Sequence, residues 1–250
     1  MMKLARTILV LFMTISTTLT YGQETQPFAL IELYTSQGCS SCPRADAYLS
    51  DIIDEAESRG QKIIALSFHV DYWNRLGWAD PYSSRENTQR QYSYAQSMRS
   101  SNVYTPQMVI NGKVEFVGSN RQKGQEAIRQ ALYKAPLKTI ELQNLRQQED
   151  KVWVDYQVKG HQLSERSTFN LAIVEEGIST SVGRGENRGR TLTHDNVVRV
   201  FQSFPISDLK GSASLELPAD LIRKHASVVA FVQKSGLKEI EAAEMIPLKD

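Results

Sequence analysis

Both cysteines of this 250-residue chain fall in one short stretch, SQGCSSCPRADAYL (36–49), as Cys39 and Cys42. Two thiols separated by two residues serve as a redox couple, as half of a metal site or as a small disulfide clip, and the spacing alone does not choose. It does exclude a disulfide-stapled scaffold. One possible bridge cannot hold a chain of this size together, so the fold rests on hydrophobic burial, for which 41% apolar residues suffice.

The segments on either side of the pair differ in periodicity. FALIELYT, from Phe28, is apolar and strand-like, whereas CPRADAYLSDIIDEAESRG carries Ala45, Leu49, Ile52, Ile53 and Ala56 at helical spacing and ends on Gly60. KIIALSFHV follows as a buried strand, which completes a strand–helix–strand unit with parallel strands and a right-handed crossover. Beyond an aromatic loop, SSRENTQRQYSYAQSMRS has Ser83 and Glu86 at capping-box spacing for a helix reaching about Met98. VYTPQMVINGKVEFVG reads as two short strands around Asn111-Gly112, and a helix over about Asn120 to Lys134 presents Ala127, Ile128, Ala131 and Leu132 on one face. This order, with CxxC between the first strand and the first helix, is the thioredoxin arrangement, and it is expected over residues 28–135.

After Pro136 the pattern changes to strands with little helix: TIELQNL, KVWVDYQV, TFNLAIVEE, NVVRVFQSF, ASLELP, SVVAFVQ and IEAAEMI. Such spacing predicts a second, all-β, sandwich-like domain over 137–250. The piece PADLIRKH is too short to alter the class.

In such a unit Cys39 sits at or just before the first helical turn and Cys42 inside it, close enough to bridge. Backbone N–H groups and the helix dipole favour a thiolate there, so Cys39 is the expected attacker and Cys42 the resolving thiol. Pro43 suits the first turn, where its missing N–H has no helical partner. Thr105-Pro106, before the Asn111-Gly112 hairpin, is expected to form a cis-proline loop facing the dithiol and to position an extended substrate. Glu32, in an otherwise apolar strand, is a candidate proton shuttle for Cys42; the alternative is an outward-facing edge position or a structural hydrogen bond.

His69 ends the strand beside the one leading into Cys39, as a candidate base or ligand or, more plainly, as a hydrogen-bonded strand end. Tyr72, Trp73, Trp78 and Tyr82 crowd the next loop, where aromatics wall a substrate site or pin the loop by packing. GRGENRGRTLTHDN (183–196) offers Arg184 and Arg188 as groups to bind a substrate carboxylate or a thiolate, or else pairs its charges locally with Glu186 and Asp195.

IELYTSQGCSSCPRADAYL, HVDYWNRLGWADPY, VYTPQMVINGK and GRGENRGRTLTHDNVVR together resemble the domain-of-unknown-function 1223 family, secreted bacterial proteins with a thioredoxin-like fold. The resemblance covers about Phe28 to Phe201. It implies fold, export and a gram-negative periplasm, and it leaves the activity open.

The segment MMKLARTILVLFMTISTTLTYG (1–22) reads as a secretory signal, so a periplasmic or secreted protein beginning near Gln23 is expected. Without Lys3 and Arg6 the chain has 27 basic and 28 acidic residues, a net charge of −1, and nothing draws it to nucleic acid; stable membrane insertion is not expected either. The leading expectation is an exported thiol–disulfide oxidoreductase. Its partners are a protein or small-molecule disulfide or thiol and an external redox partner, and it needs no cofactor beyond the Cys39–Cys42 pair. One rival is a non-catalytic peptide or envelope-protein binding module. The other is a Cu(I) or Zn handling protein with His69 or His194 joining the thiolates, although no second Cys or His pair has ligand spacing and no metal site is assigned.

Overall fold

The computed structural model describes residues 25–160, 167–206 and 208–248; the expected signal segment lies outside them. Strand β1 (Phe28–Thr35), helix α1 (Pro43–Arg59) and strand β2 (Lys62–His69) form the first unit. β1 and β2 are parallel, with Phe28 opposite Lys62 and Thr35 opposite His69. Pro43 opens α1 at its first position, and Gly60 closes it in the left-handed conformation (φ 61°).

Helix α2 (Arg85–Ser97) is capped by Ser84, whose hydroxyl accepts from the Asn87 N–H. The cap thus falls one residue after the expected Ser83, whose hydroxyl donates to the Asp80 carbonyl instead. Strands β3 (Gln107–Ile110) and β4 (Val114–Val117) turn through Asn111 and Gly112, both at positive φ. A side chain at Gly112 would also strike the Lys238 carbonyl oxygen, 2.2 Å from an added Cβ, so both conformation and space require glycine. Helix α3 (Arg121–Ala131) is capped by Asn120.

β1 is buried on both faces, and its alternation sorts the helices. Ile31 and Leu33 pack with Ala45, Tyr48 and Leu49 of α1 and Ala127 of α3. Phe28, Leu30 and Tyr34 pack on the opposite face with Tyr94 of α2.

The second half adds β5 (Lys138–Gln148), β6 (Lys151–Gly160), β7 (Thr168–Glu175), β8 (Ile178–Ser181), β9 (Thr191–His194), β10 (Val197–Pro205), β11 (Lys210–Glu216), β12 (Ala226–Gln233) and β13 (Ile240–Pro247). These strands do not form a sandwich apart from the first half. Four of them continue its sheet, giving one eight-stranded mixed sheet in the order β13-β12-β7-β10-β2-β1-β3-β4. β10 joins β2 in parallel where Ser67 N donates to the Asn196 carbonyl, which covers an edge of β2 that would otherwise stay unpaired.

The smaller antiparallel sheet β11-β6-β5 packs on the outer half of the large one, with Val152, Val154 and Val158 against Leu171, Ile173, Val228 and Ala230. The architecture is therefore mixed α/β and mostly strand. A separate hairpin, β8-β9, lies against α1, and its connection (182–190) crosses over the residues that precede that helix. Neither hairpin strand is among those expected from the sequence.

Candidate functional site

Cys39 and Cys42 are joined by a disulfide, with their Cα atoms 5.4 Å apart. The chain leaves β1 at Thr35 and tightens through Cys39 N→Ser36 O (3.1 Å) and Cys42 N→Cys39 O (3.2 Å). Cys42 is the N-cap of α1, and its carbonyl accepts from Ala45 N and Asp46 N. The Ser41 hydroxyl lies 3.3 Å from Cys39 Sγ. Gly38 rests against Trp73, whose Cβ would be 3.2 Å from a side chain there. The Trp73 indole N–H in turn donates to Thr105 Oγ1 at 2.7 Å. The Thr105-Pro106 bond is cis. Pro106 and Ala45 both border Gly118, which brings the prolyl segment beside the first turn of α1. Cys39, Cys42, Trp73, Thr105 and Pro106 thus meet in one place.

Cys39, the expected attacker, is not open to solvent. Both cysteines are fully buried, although Ser40 and Ser41 between them are exposed. The physical reason is the 182–190 connection, which straps the CxxC turn from about 150 residues away in sequence. Asn187, itself 1% exposed, donates through Nδ2 to the carbonyls of Gln37 and Cys39, both at 2.9 Å. Arg190 donates to Asn187 Oδ1 and holds the amide in that orientation. Ser40 N donates to the Glu186 carboxylate at 2.9 Å. Gly183 and Gly185 lie against Trp78, whose indole N–H donates to Gln37 Oε1.

Below the strap lies a buried group of two histidines and two aspartates. His69 Nδ1 is 2.7 Å from Asp80 Oδ2, and the same oxygen accepts from Gln37 N, which ties the end of β2 to the CxxC turn. The ring of His194 stands edge-on to that of His69 with centroids 4.7 Å apart, and His194 Nδ1 is 3.6 Å from Asp46 Oδ2. Thr35 donates to the other oxygen of Asp46. His69 Nε2, both ring nitrogens of His194 and Asp46 Oδ2 make no hydrogen bond among the described residues.

Burial opposes a charge on His69, yet the Asp80 carboxylate outweighs it and raises the imidazole pKa. Burial likewise opposes the Asp80 charge, and His69 with the Gln37 and Tyr82 N–H groups lowers the Asp80 pKa nevertheless. The raised His69 value contributes stability that is complete below about 6.5 and lost as pH rises through the folded-state value. The lowered Asp80 value contributes stability that is present above about 3.9 and lost as pH falls through its folded-state value. Both contributions coexist between these limits. Asp80→Asn is therefore expected to cost about 1–3 kcal/mol at pH 5.5 and less at pH 9, read from denaturation midpoints. An equal loss at both pH values would mean that the pair is uncharged.

Glu32 is not under Cys42, which corrects its expected role. It points to the α2 face, away from α1, and is 0% exposed. Arg90 grips it through Nε (2.6 Å) and Nη2 (3.0 Å), and the Tyr94 hydroxyl donates to it. The Arg90 guanidinium also lies over the rings of Phe68, Tyr94, Phe201 and Phe231, so this is a structural knot of the α2-side core. The carboxylate that does lie one turn past Cys42 is Asp46. Its sequence signal is a charged residue on the buried face of an amphipathic helix.

His69 is the hydrogen-bonded strand end of the plainer alternative. Tyr72 packs on the α2-side core and hydrogen-bonds Gln91, and burial pushes its hydroxyl up to about 12. Arg184 and Arg188 lie on the strap and are exposed, and their side chains make no ion pair among the described residues. Asn187 and Asp80 carry much of the site and are not among the residues singled out from the sequence; Glu186, read there as a partner for the loop's arginines, instead accepts from Ser40 N. No three His, Cys, Asp or Glu side chains among the described residues are grouped to hold a metal ion. A cavity of about 380 Å³ lined by Ile110, Lys113, Ala131, Lys138 and Ile240 lies at the far end of β1 from the bridge. Its Lys113 pairs with Glu239 and its Lys138 with Glu241.

A family model described as "Protein of unknown function (DUF1223)" matches residues 30–233. No curated protein matches the chain. Among solved structures, a protein from Agrobacterium tumefaciens is 24% identical, with a TM-score of 0.66 over 89% of this chain and 95% of that one. HBP35 of Porphyromonas gingivalis is 12% identical, with a TM-score of 0.64 over 90% of this chain and 76% of that one. Both are likenesses of fold.

Proposed function

The chain belongs to the DUF1223 family, and we propose that it is an exported thiol–disulfide exchange protein built on a thioredoxin-like unit, with Cys39–Cys42 as its redox couple. The observation that carries this reading is the bridge at the first turn of α1 with the Thr105-Pro106 segment beside it. In the reduced protein, the Cys39 thiolate attacks one sulfur of a substrate disulfide and the other sulfur leaves as a thiol. Cys42 then loses its proton and attacks Cys39 Sγ, which expels the second substrate sulfur and restores the bridge. An external dithiol returns the pair to the reduced state. Run backwards, the same steps oxidise a substrate dithiol.

Burial of both sulfurs limits this chemistry to a form in which the 182–190 strap has lifted. The histidine–aspartate group then holds the end of β2 and the CxxC turn in register while the strap moves. Export rests on the signal-like segment 1–22; no helix among the described residues is long and apolar enough to cross a membrane. The test is exchange with glutathione by the wild type and by Cys39→Ser. Turnover in the wild type and only background in the variant is expected, and background in both would overturn the proposal.

The same burial favours a second reading, an inert bridge in a non-catalytic binding module. That reading requires the disulfide to resist dithiothreitol for as long as the protein stays folded.

A further inference from the structure

The face over the bridge is locally cationic in a chain of nearly balanced charge. Arg184, Arg188 and Arg190 are exposed on the strap, and Arg44 is exposed in the first turn of α1. A cation in that turn opposes the helix dipole, a placement that local stability does not favour. The side chains of Arg44, Arg184 and Arg188 have no ion-pair or hydrogen-bond partner among the described residues. The nearby carboxylates are engaged elsewhere, Asp195 by Ser50 and Gly177 N, and Glu186 by Ser40 N. Glu186 is the informative one. It brings a carboxylate from the strap to the backbone N–H next to Cys39, among the arginines, yet it is itself exposed and so exchangeable with another carboxylate in water.

We infer that this face docks an acidic segment of the redox partner, one of whose carboxylates takes the place of Glu186 at Ser40 N as the strap lifts. The inference rests on the exchange reading for the identity of the partner, and it deepens that reading by giving the partner's chemistry. A polypeptide is the committed occupant, because Arg184, Arg188 and Arg190 are exposed at three positions along the strap, with Arg44 exposed beside the CxxC turn, and a run of carboxylates on one chain complements several such charges at once.

The test is anisotropy of a fluorescein-labelled peptide of six glutamates with the full, oxidised chain. Saturable binding is expected, weakening about tenfold from low to 0.3 M salt. Glu186→Gln is expected to tighten it severalfold, because the internal competitor is gone, and Arg184→Ser with Arg188→Ser to abolish it. All three side chains are exposed, and far-UV circular dichroism verifies folding. The inference is overturned if the peptide does not bind, if these substitutions leave its affinity unchanged, or if an oligothymidine of equal charge binds as tightly. Peptide binding with a bridge inert to glutathione removes the exchange reading and leaves the docking face standing; exchange without peptide binding does the reverse.

Discussion

Replacing Asn187 with alanine is expected to speed reduction of the Cys39–Cys42 bridge about 10- to 100-fold in the folded protein. Its amide satisfies the carbonyls of Gln37 and Cys39 in a site closed to water. Each such hydrogen bond contributes about 1 kcal/mol net, and each buried carbonyl left without a donor costs about 1–3 kcal/mol. The loss falls on the closed form alone, because water solvates these carbonyls once the strap has lifted. A shift of about 1.4–2.8 kcal/mol in the opening equilibrium is one to two factors of ten. Reduction follows that equilibrium when the strap recloses faster than the reagent attacks. The check is dithiothreitol reduction under native conditions, quenched by alkylation and followed by mass. Equal rates in both proteins would mean that the strap does not control access.

The second large effect separates structure from chemistry. Glu32→Leu leaves the Arg90 guanidinium buried without its carboxylate and is expected to cost about 3–5 kcal/mol. At about 2–4 °C per kcal/mol, that lowers the melting temperature by roughly 6–20 °C. Adding Arg90→Met removes the stranded charge and is expected to restore most of the loss, since replacing both partners of a buried pair is often neutral. Below its melting temperature Glu32→Leu is expected to exchange thiols at the wild-type rate. A small loss of stability with abolished exchange would instead make Glu32 the proton shuttle that its place in β1 suggests from sequence.

That contrast shows what the sequence carries. FALIELYT and KIIALSFHV are local, strongly patterned segments, and they form β1 and β2 with nearly the expected ends. CPRADAYLSDIIDEAESRG announces its helix through Pro43, the apolar stripe and Gly60. The face on which Glu32 falls is silent, because β1 is apolar on both sides and alternation does not say which side α1 covers. The joining of the halves is equally hidden, since the β10–β2 contact is short and its sequence separation large. The loop 182–190 reads as an arginine-rich turn, and only the folded chain brings its Asn187 onto Cys39. The cysteines are legible as a pair; the hydrogen bond that a distant asparagine gives to the Cys39 carbonyl is not.

The most direct test compares two rates in the wild type: reduction of the Cys39–Cys42 bridge by dithiothreitol in native buffer, and global unfolding extrapolated to the same buffer. Exchange through strap opening predicts reduction well ahead of unfolding, proportional to reductant concentration, with the fold retained by circular dichroism. A bridge reduced only as fast as the whole protein unfolds, whatever the reductant concentration, would contradict it.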